Sequence, residues 1–104
     1  MINKNNNYEC PVTNALKLIG GKWKLIIMHL LSKRTMRFGE LKREINSITQ
    51  QMLSKQLKEM EKDGLVNRKV YEVVPPHVEY SLTPFGKSGM PIIKSLINWG
   101  ISIS

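Results

Sequence analysis

Residues 37–63, RFGELKREINSITQQMLSKQLKEMEKD, decide the fold that this sequence predicts. In the first part of this stretch, apolar residues recur at helical spacing: Phe38, Leu41 and Ile45. Asn46-Ser47 then interrupts the pattern, and a longer helix begins near Thr49. A short helix, a turn and a longer helix predict a helix-turn-helix.

The longer helix, about 49–63, has two different faces. Its apolar side is formed by Leu53, Leu57 and Met60, and a projection at 100° per residue places the polar side opposite: Gln51, Ser54, Lys55, Lys58 and Lys62. Thr49 is the predicted N-cap, and Ser47, with Gln50 three residues later, is the alternative start. Amides suit base edges and ammonium groups suit phosphates. An ordinary solvated helix has a similar face, so this face alone does not decide function.

Charge is concentrated in the same part of the chain. The 104 residues carry a net charge of +8, and the segment 22–69 contributes +7 of it, with twelve Lys and Arg against five Asp and Glu. Such a basic domain suits nucleic acid, an acidic membrane surface or an acidic protein. The length predicts one small domain with a modest core, which a partner subunit would stabilise.

The termini and the cysteine content indicate a soluble, cytoplasmic protein. No run of about 18 apolar residues is present, and residues 1–9 lack the apolar centre of a signal peptide, so membrane binding is not expected. Residues 1–9 are predicted to be a flexible lead-in to a single domain at 10–104. The one cysteine, Cys10, excludes an internal disulfide, but a bond between subunits stays open.

Two helices are predicted before the central motif and a β-hairpin after it, which is the element order of a winged helix-turn-helix. Helices are predicted at 11–19 and 22–31, separated by Gly20-Gly21. Gly64 suits the left-handed position that ends the long helix, and residues 65–82 form an antiparallel hairpin with its tip near Pro75, Pro76 and His77. This hairpin is a candidate wing beside the long helix. Its possible phosphate contacts are Arg68, Lys69 and His77.

The last helix is too apolar for one small domain to cover. Thr83-Pro84 starts it, and Pro91 is expected to kink it or split it. The simplest cover is a second subunit, with these candidate interface residues: Val12, Leu16, Ile92, Ile93, Leu96 and Trp99. The alternative is that the helix folds back on its own domain. A small-molecule effector site at a dimer seam near Trp23 and Trp99 also stays open.

Motifs across residues 10–100 resemble the HxlR-type helix-turn-helix family. They are Cys10-Pro-Val, Leu18-Ile-Gly-Gly-Lys-Trp-Lys24, Arg37-Phe-Gly-Glu-Leu41, Met52-Leu53, Gly64-Leu-Val66, Val74-Pro-Pro-His-Val-Glu-Tyr80, Leu82-Thr83 and Trp99-Gly100. The resemblance implies an α+β, mostly α, MarR-like winged helix-turn-helix with N- and C-terminal dimerisation helices. It also implies a homodimeric transcriptional regulator that binds double-stranded DNA at an inverted repeat.

Ten residues are predicted to bind DNA, and those at 49–58 belong to the recognition helix: Arg37, Thr49, Gln50, Gln51, Ser54, Lys55, Lys58, Arg68, Lys69 and His77. Two positions depart from the family pattern. Asn46-Ser47 replaces the usual Pro-Gly type of turn, and His77 replaces an arginine in the wing. A mostly neutral histidine would weaken this contact or make it pH-dependent.

Cys10 is a candidate redox or electrophile sensor. Some members of the resembled family use a cysteine at this place, and the dipole of a helix that starts at Pro11 favours the thiolate. Packing as a small apolar residue is the alternative.

Enzymatic, cofactor and metal sites are not predicted. The sequence has no nucleophile triad, phosphate-binding glycine loop or metal-spaced Cys and His cluster. The alternative to DNA binding is a winged-helix protein-interaction module, whose basic face only confers solubility. The two functions differ in salt dependence, because only DNA binding releases counterions from phosphates.

Overall fold

The computed structural model describes residues 10–104, so the lead-in predicted at 1–9 lies outside the described residues. In chain order the elements are α1 (Pro11–Ile19), α2 (Lys24–Lys33), β1 (Met36–Arg37), α3 (Phe38–Glu44), α4 (Gln50–Lys62), β2 (Val66–Tyr71), β3 (His77–Leu82), α5 (Pro84–Lys87) and α6 (Met90–Ile103). The predicted α+β, mostly α, winged helix-turn-helix is confirmed. Helix α2 begins two residues later than the sequence indicated.

The long helix starts and stops where its capping residues predict. The Thr49 hydroxyl accepts a hydrogen bond from the Met52 backbone N–H at 3.1 Å, which makes Thr49 the N-cap. The alternative start at Ser47 is therefore wrong. Gly64 follows the last turn with a φ of +77°, a conformation that costs glycine least.

The sheet has three antiparallel strands in the order β1-β3-β2. Strands β2 and β3 form the predicted hairpin, in register from Val66 opposite Leu82 to Tyr71 opposite His77. Strand β1 was not predicted, because two residues are too few to show an alternating pattern. It joins β3 with Arg37 opposite Glu79, so the start of α3 is attached to the wing.

The core lies between α2, α3, α4 and the sheet. Its largest fully buried side chains are Ile27, Met28, Leu41, Ile48, Leu53, Leu57, Met60 and Leu65. Helix α6 contributes Ile93, which is only 3% exposed. The prediction that Ile93 belongs to a subunit interface is therefore corrected, because its side chain is already covered by its own domain.

The terminal helices keep much of their apolar surface uncovered. Helix α1 contains no buried residue. Pro91 lies in the first turn of α6, so the predicted proline effect is a split into α5 and α6. The inner side of α6 packs on the domain through Ile93, whereas the remaining interface candidates are exposed: Val12, Leu16, Ile92, Leu96 and Trp99.

Candidate nucleic-acid interface

Helix α4 presents a polar face that the core holds in one orientation. Leu53, Leu57 and Met60 are buried on one side of the helix. On the other side Gln50, Gln51, Lys55 and Lys58 are exposed, as is the Thr49 cap, and Ser54 is half-buried. The face therefore offers amide and hydroxyl groups near its N-terminal end and ammonium groups farther along.

An open concave surface of about 590 Å³ runs along this polar face. It is lined by Phe38 from α3 and by residues of α4: Gln50, Gln51, Ser54, Lys55, Lys58 and Glu59. Five of the ten predicted DNA-binding residues are thus brought together in one groove. Phe38, the first residue of α3, lines one side of this groove.

A buried lysine that was absent from the predicted site ties α4 to α2. The Lys24 ammonium lies 3.0 Å from a Glu59 carboxylate oxygen, and the two side chains are 11% and 41% exposed. The hydrogen bond from Lys24 holds the pKa of the Glu59 carboxyl below its usual range. Lys24 shares a helical stripe with the buried Ile27, Met28 and Leu31, and this spacing was the signal available in the sequence.

A second carboxylate fixes the beginning of α3. Glu40 accepts a hydrogen bond from the Arg37 backbone N–H at 2.9 Å and another from the Arg34 guanidinium at 2.8 Å. The Arg37 hydrogen bond, followed by that of Arg34, lowers the pKa of Glu40. The Arg37 side chain itself is exposed.

The wing tip contains Pro75 and Pro76 as predicted, but it does not include His77. The loop between the strands is Glu72 to Pro76, which contains no basic residue, and His77 is already the first residue of β3. Its ring stacks on Tyr71 with centroids 4.7 Å apart, and Nε2 lies 3.1 Å from the Glu79 carboxylate. His77 is therefore held against the strand by these neighbours and is not the protruding tip residue that the sequence suggested.

The sheet separates the basic wing residues into two groups. Directly opposite residues share a face of a sheet, so Arg37, Glu79 and Lys69 lie on one face. His77 belongs to that face too, where Lys69 lies 4.9 Å from the Tyr71 ring centre. Arg68 lies on the other face, beside α4, because Arg68, Ser54 and Lys58 line the same notch.

Cys10 occupies the N-cap position of α1 and is half-buried. Its carbonyl oxygen accepts the Asn14 backbone N–H at 3.1 Å, in the first turn of the helix. The thiol is thus placed at the positive end of α1, the helix that exposes Val12 and Leu16.

The apolar cavity of the domain lies apart from the tryptophans. It encloses about 170 Å³ between α1, α2, α5 and α6, with Leu18, Met28 and Phe85 among its lining residues. Neither Trp23 nor Trp99 lines it, and Trp99 instead borders an open groove along α6. The volume is below the range usual for drug-sized ligands. The predicted effector site at a dimer seam stays a prediction.

Helices α2, α3 and α4, the last of them long and capped by Thr49, and the hairpin of β2 and β3 define a winged helix-turn-helix of the MarR-like class. The chain belongs to the HxlR-like helix-turn-helix family, whose model matches residues 18–103. A relative from Halalkalibacterium halodurans, the uncharacterized HTH-type transcriptional regulator BH0655, is 52% identical over 97 residues, which are 92% of this chain and 86% of the relative. The predicted family is confirmed.

Solved structures give the same fold. The redox regulator HypR in its oxidized form superposes with a TM-score of 0.86 and 50% identity, covering 89% of this chain and 96% of HypR. Diamide-treated YodB from Bacillus subtilis superposes with a TM-score of 0.75 and 32% identity, covering 92% and 96% of the two chains.

The family and these relatives are transcriptional regulators and not enzymes, as the sequence predicted. Among residues 10–104, no helix is long and apolar enough to cross a membrane. Within the same range, no group of three His, Cys, Asp or Glu side chains is arranged to hold a metal ion.

Proposed function

We propose that this protein is a homodimeric regulator that binds double-stranded DNA sequence-specifically, with α4 in the major groove. The observation that carries the proposal is the groove along α4, where Gln50, Gln51 and Ser54 precede Lys55 and Lys58 on one exposed face. Such amides pair with base edges and such ammonium groups pair with phosphates. Membership of a family of helix-turn-helix regulators supports this assignment.

The proposed DNA surface consists of the α4 face, with its Thr49 cap, and Arg68. Arg37, Lys69 and His77 lie on the opposite face of the sheet, so they are left out of it. Two copies related by a two-fold axis through α1 and α6 would present two α4 helices to one side of a duplex. An inverted-repeat operator with half-sites about one helical turn apart fits this arrangement. The cytoplasmic location predicted from the sequence stays a prediction.

The first experiment measures DNA binding by fluorescence anisotropy. Labelled DNA from upstream of the protein's own gene, together with sites enriched from a random library, is compared with a random duplex at several salt concentrations. Specific binding that weakens steeply with salt supports the proposal, because phosphate contacts release counterions. Equal, weak binding to every duplex, without enrichment of any site, would contradict it and favour the protein-interaction module.

Two variants separate base reading from backbone binding. Gln51→Ala should reduce the preference for the operator over random DNA by about 1–3 kcal/mol, the usual worth of a bidentate base contact. Lys58→Ala should weaken binding to both duplexes alike. Equal losses on operator and random DNA for Gln51→Ala would remove this residue from the base-reading set.

We further propose that oxidation at Cys10 regulates DNA binding. The position of the thiol at the N-terminus of α1 supports this, since the helix dipole stabilises a thiolate there. The structural likeness to HypR, whose oxidized and reduced forms are both solved, points the same way. A modified Cys10 would alter how α1 packs in the dimer and so the spacing of the two α4 helices.

Diamide tests this regulation. It removes two electrons and two protons from two thiols, either the two Cys10 residues of a dimer or Cys10 and an added small thiol, and a disulfide forms. We expect loss of operator binding on treatment and recovery with dithiothreitol. The Cys10→Ser variant should bind the operator, and its affinity should not change on diamide treatment. If Cys10→Ser still loses binding on treatment, Cys10 is not the sensor.

A further inference from the structure

A polar notch of about 320 Å³ lies between α4 and the sheet. One stripe of α4 forms one wall with residues at helical spacing: Ser54, Leu57, Lys58 and Glu61. The other wall is Arg68 of β2 and its register partner Tyr80 of β3. The notch is therefore lined by two cationic side chains, two hydroxyl groups and one carboxylate, and the buried Leu57 lies at its base.

The side chains that line this notch make few contacts with each other. Within residues 10–104, no hydrogen bond or ion pair engages the side chains of Ser54, Lys58, Arg68 or Tyr80. By contrast, on the opposite face of the sheet His77 contacts Glu79. The donors of the notch are thus available to an anion, and Glu61 is the one acidic group in its lining.

The charge and the position of the notch both match the DNA backbone. Lys58 and Arg68 against Glu61 leave one net positive charge, which a single phosphodiester would neutralise. If α4 enters the major groove with the hairpin beside it, the DNA strand that borders the groove would run across the outer surface where α4 meets the sheet. The notch opens between these two elements.

We propose that this notch binds one phosphate of the DNA backbone in each half-site. Arg68 and Lys58 supply the charge, and the Ser54 and Tyr80 hydroxyls donate hydrogen bonds to the phosphate oxygens. The phosphate then bridges the recognition helix and the wing, which fixes the depth of α4 in the groove. This inference rests on the proposed DNA-binding function and adds Tyr80, which sequence reasoning did not select.

The test compares Arg68→Gln with Lys69→Gln, a matched control at the next residue on the opposite face of the sheet. Binding is measured with the wild-type dimer and the two variants over a range of salt concentrations. Arg68→Gln should reduce the slope of log affinity against log salt by about 1 per half-site, whereas Lys69→Gln should leave it unchanged. Equal losses of slope would overturn the proposal.

Two further variants should change the DNA affinity in opposite directions. Tyr80→Phe should weaken binding about tenfold, because a hydrogen bond to a charged oxygen is lost. Glu61→Gln should strengthen binding, because it removes the one repulsive group. Thermal melts followed by circular dichroism verify that both variants fold, so a weaker affinity is not mistaken for unfolding. Unchanged affinity in both folded variants would overturn the proposal.

Single methylphosphonate substitutions in the duplex locate the phosphate. At one position per half-site, the neutral linkage removes the charge that Arg68 is proposed to contact. The wild type and Arg68→Gln should therefore bind that modified duplex with equal affinity. If no position does so, the notch does not hold a backbone phosphate. Inorganic phosphate, added at constant ionic strength, competes for the same notch, so it should displace DNA from the wild type more readily than from Arg68→Gln. Binding of inorganic phosphate to the notch without any displacement of DNA would mean that the notch takes a free anion, and it would overturn the backbone assignment.

These results are separable from the proposed function. Phosphate contacts do not depend on sequence, so the comparison of Arg68→Gln with Lys69→Gln is valid on a random duplex as well. A wild type without operator preference would refute specific regulation. The phosphate site would then still be tested by the slope of log affinity against log salt for Arg68→Gln and Lys69→Gln on a random duplex. An operator-specific wild type with an unaffected Arg68→Gln variant would refute the notch alone.

Discussion

Replacement of Trp99 by alanine should dissociate the proposed dimer. Trp99 is 64% exposed on the outer side of α6, where it borders a groove with Pro91, Ile92 and Leu96. If a partner covers half of that exposed surface, the two symmetry-related rings together bury about 160 Å² of mainly apolar area. At about 25 cal/mol per Å², this burial contributes about 4 kcal/mol.

The expected loss of affinity follows from that contribution. Since each 1.4 kcal/mol is a factor of ten, and alanine retains a little of the buried area, the dimer Kd of Trp99→Ala should rise about 100- to 1000-fold. Sedimentation velocity with a fluorescent label, from nanomolar to micromolar subunit concentration, measures this change. Operator binding should weaken in parallel, because a monomer contacts a single half-site.

A matched control distinguishes the loss of an interface contact from the general effect of removing an exposed apolar side chain. Val74 is 98% exposed in the wing loop, away from α6, so Val74→Ala should leave the dimer Kd unchanged. A Trp99→Ala protein that is folded and dimerises like the wild type would show that Trp99 does not lie in the dimer interface. A wild type that stays monomeric at micromolar concentration would also refute it.

Three further predictions concern the support of the site. Thr49→Ala removes the hydrogen bond accepted from Met52 N–H and should cost about 1 kcal/mol of unfolding free energy, measured by urea denaturation. Leu57→Ala leaves a cavity beneath the polar face of α4 and should cost about 2–5 kcal/mol in the same assay, and a loss below 1 kcal/mol would show that Leu57 is not held in the core. Glu40 has a lowered pKa because it accepts the Arg37 N–H, so it stabilises the native state above pH 4.5 and this stabilisation is lost as the pH falls through the folded pKa. Glu40→Gln should therefore be less stable than the wild type near pH 7 and equally stable in acid, and a constant difference across a pH series would contradict this.

Local chemistry made α4 predictable from the sequence. Its apolar stripe repeats over three turns, Thr49 supplies a hydroxyl cap, and Gly64 tolerates a positive φ. Each of these signals acts within a few residues along the chain, so a single sequence contains it. The polar face follows automatically once the apolar stripe is assigned.

Contacts between distant segments were not predictable in the same way. The pairing of Arg37 with Glu79 and of Lys24 with Glu59 depends on how elements pack, and no local pattern encodes either partner. His77 was misplaced for a related reason, because its position depends on where the hairpin loop ends. The division of Arg68 and Lys69 between two faces follows from strand alternation, but relating those faces to α4 required the fold.

Because α1 leaves apolar side chains exposed, the folding of this helix is linked to the association of the proposed dimer. Helix α1 has nine residues and no fully buried side chain, and it packs on its own domain only through partly buried residues such as Leu18 and Ile19. Helices of this length are marginal in water. If a second subunit supplies the missing cover, ordering of α1 and association become one equilibrium. Cys10, at the first turn of this helix, would then take part in the same equilibrium, so a chemical change at the thiol would shift the order of α1 and the association of the subunits together.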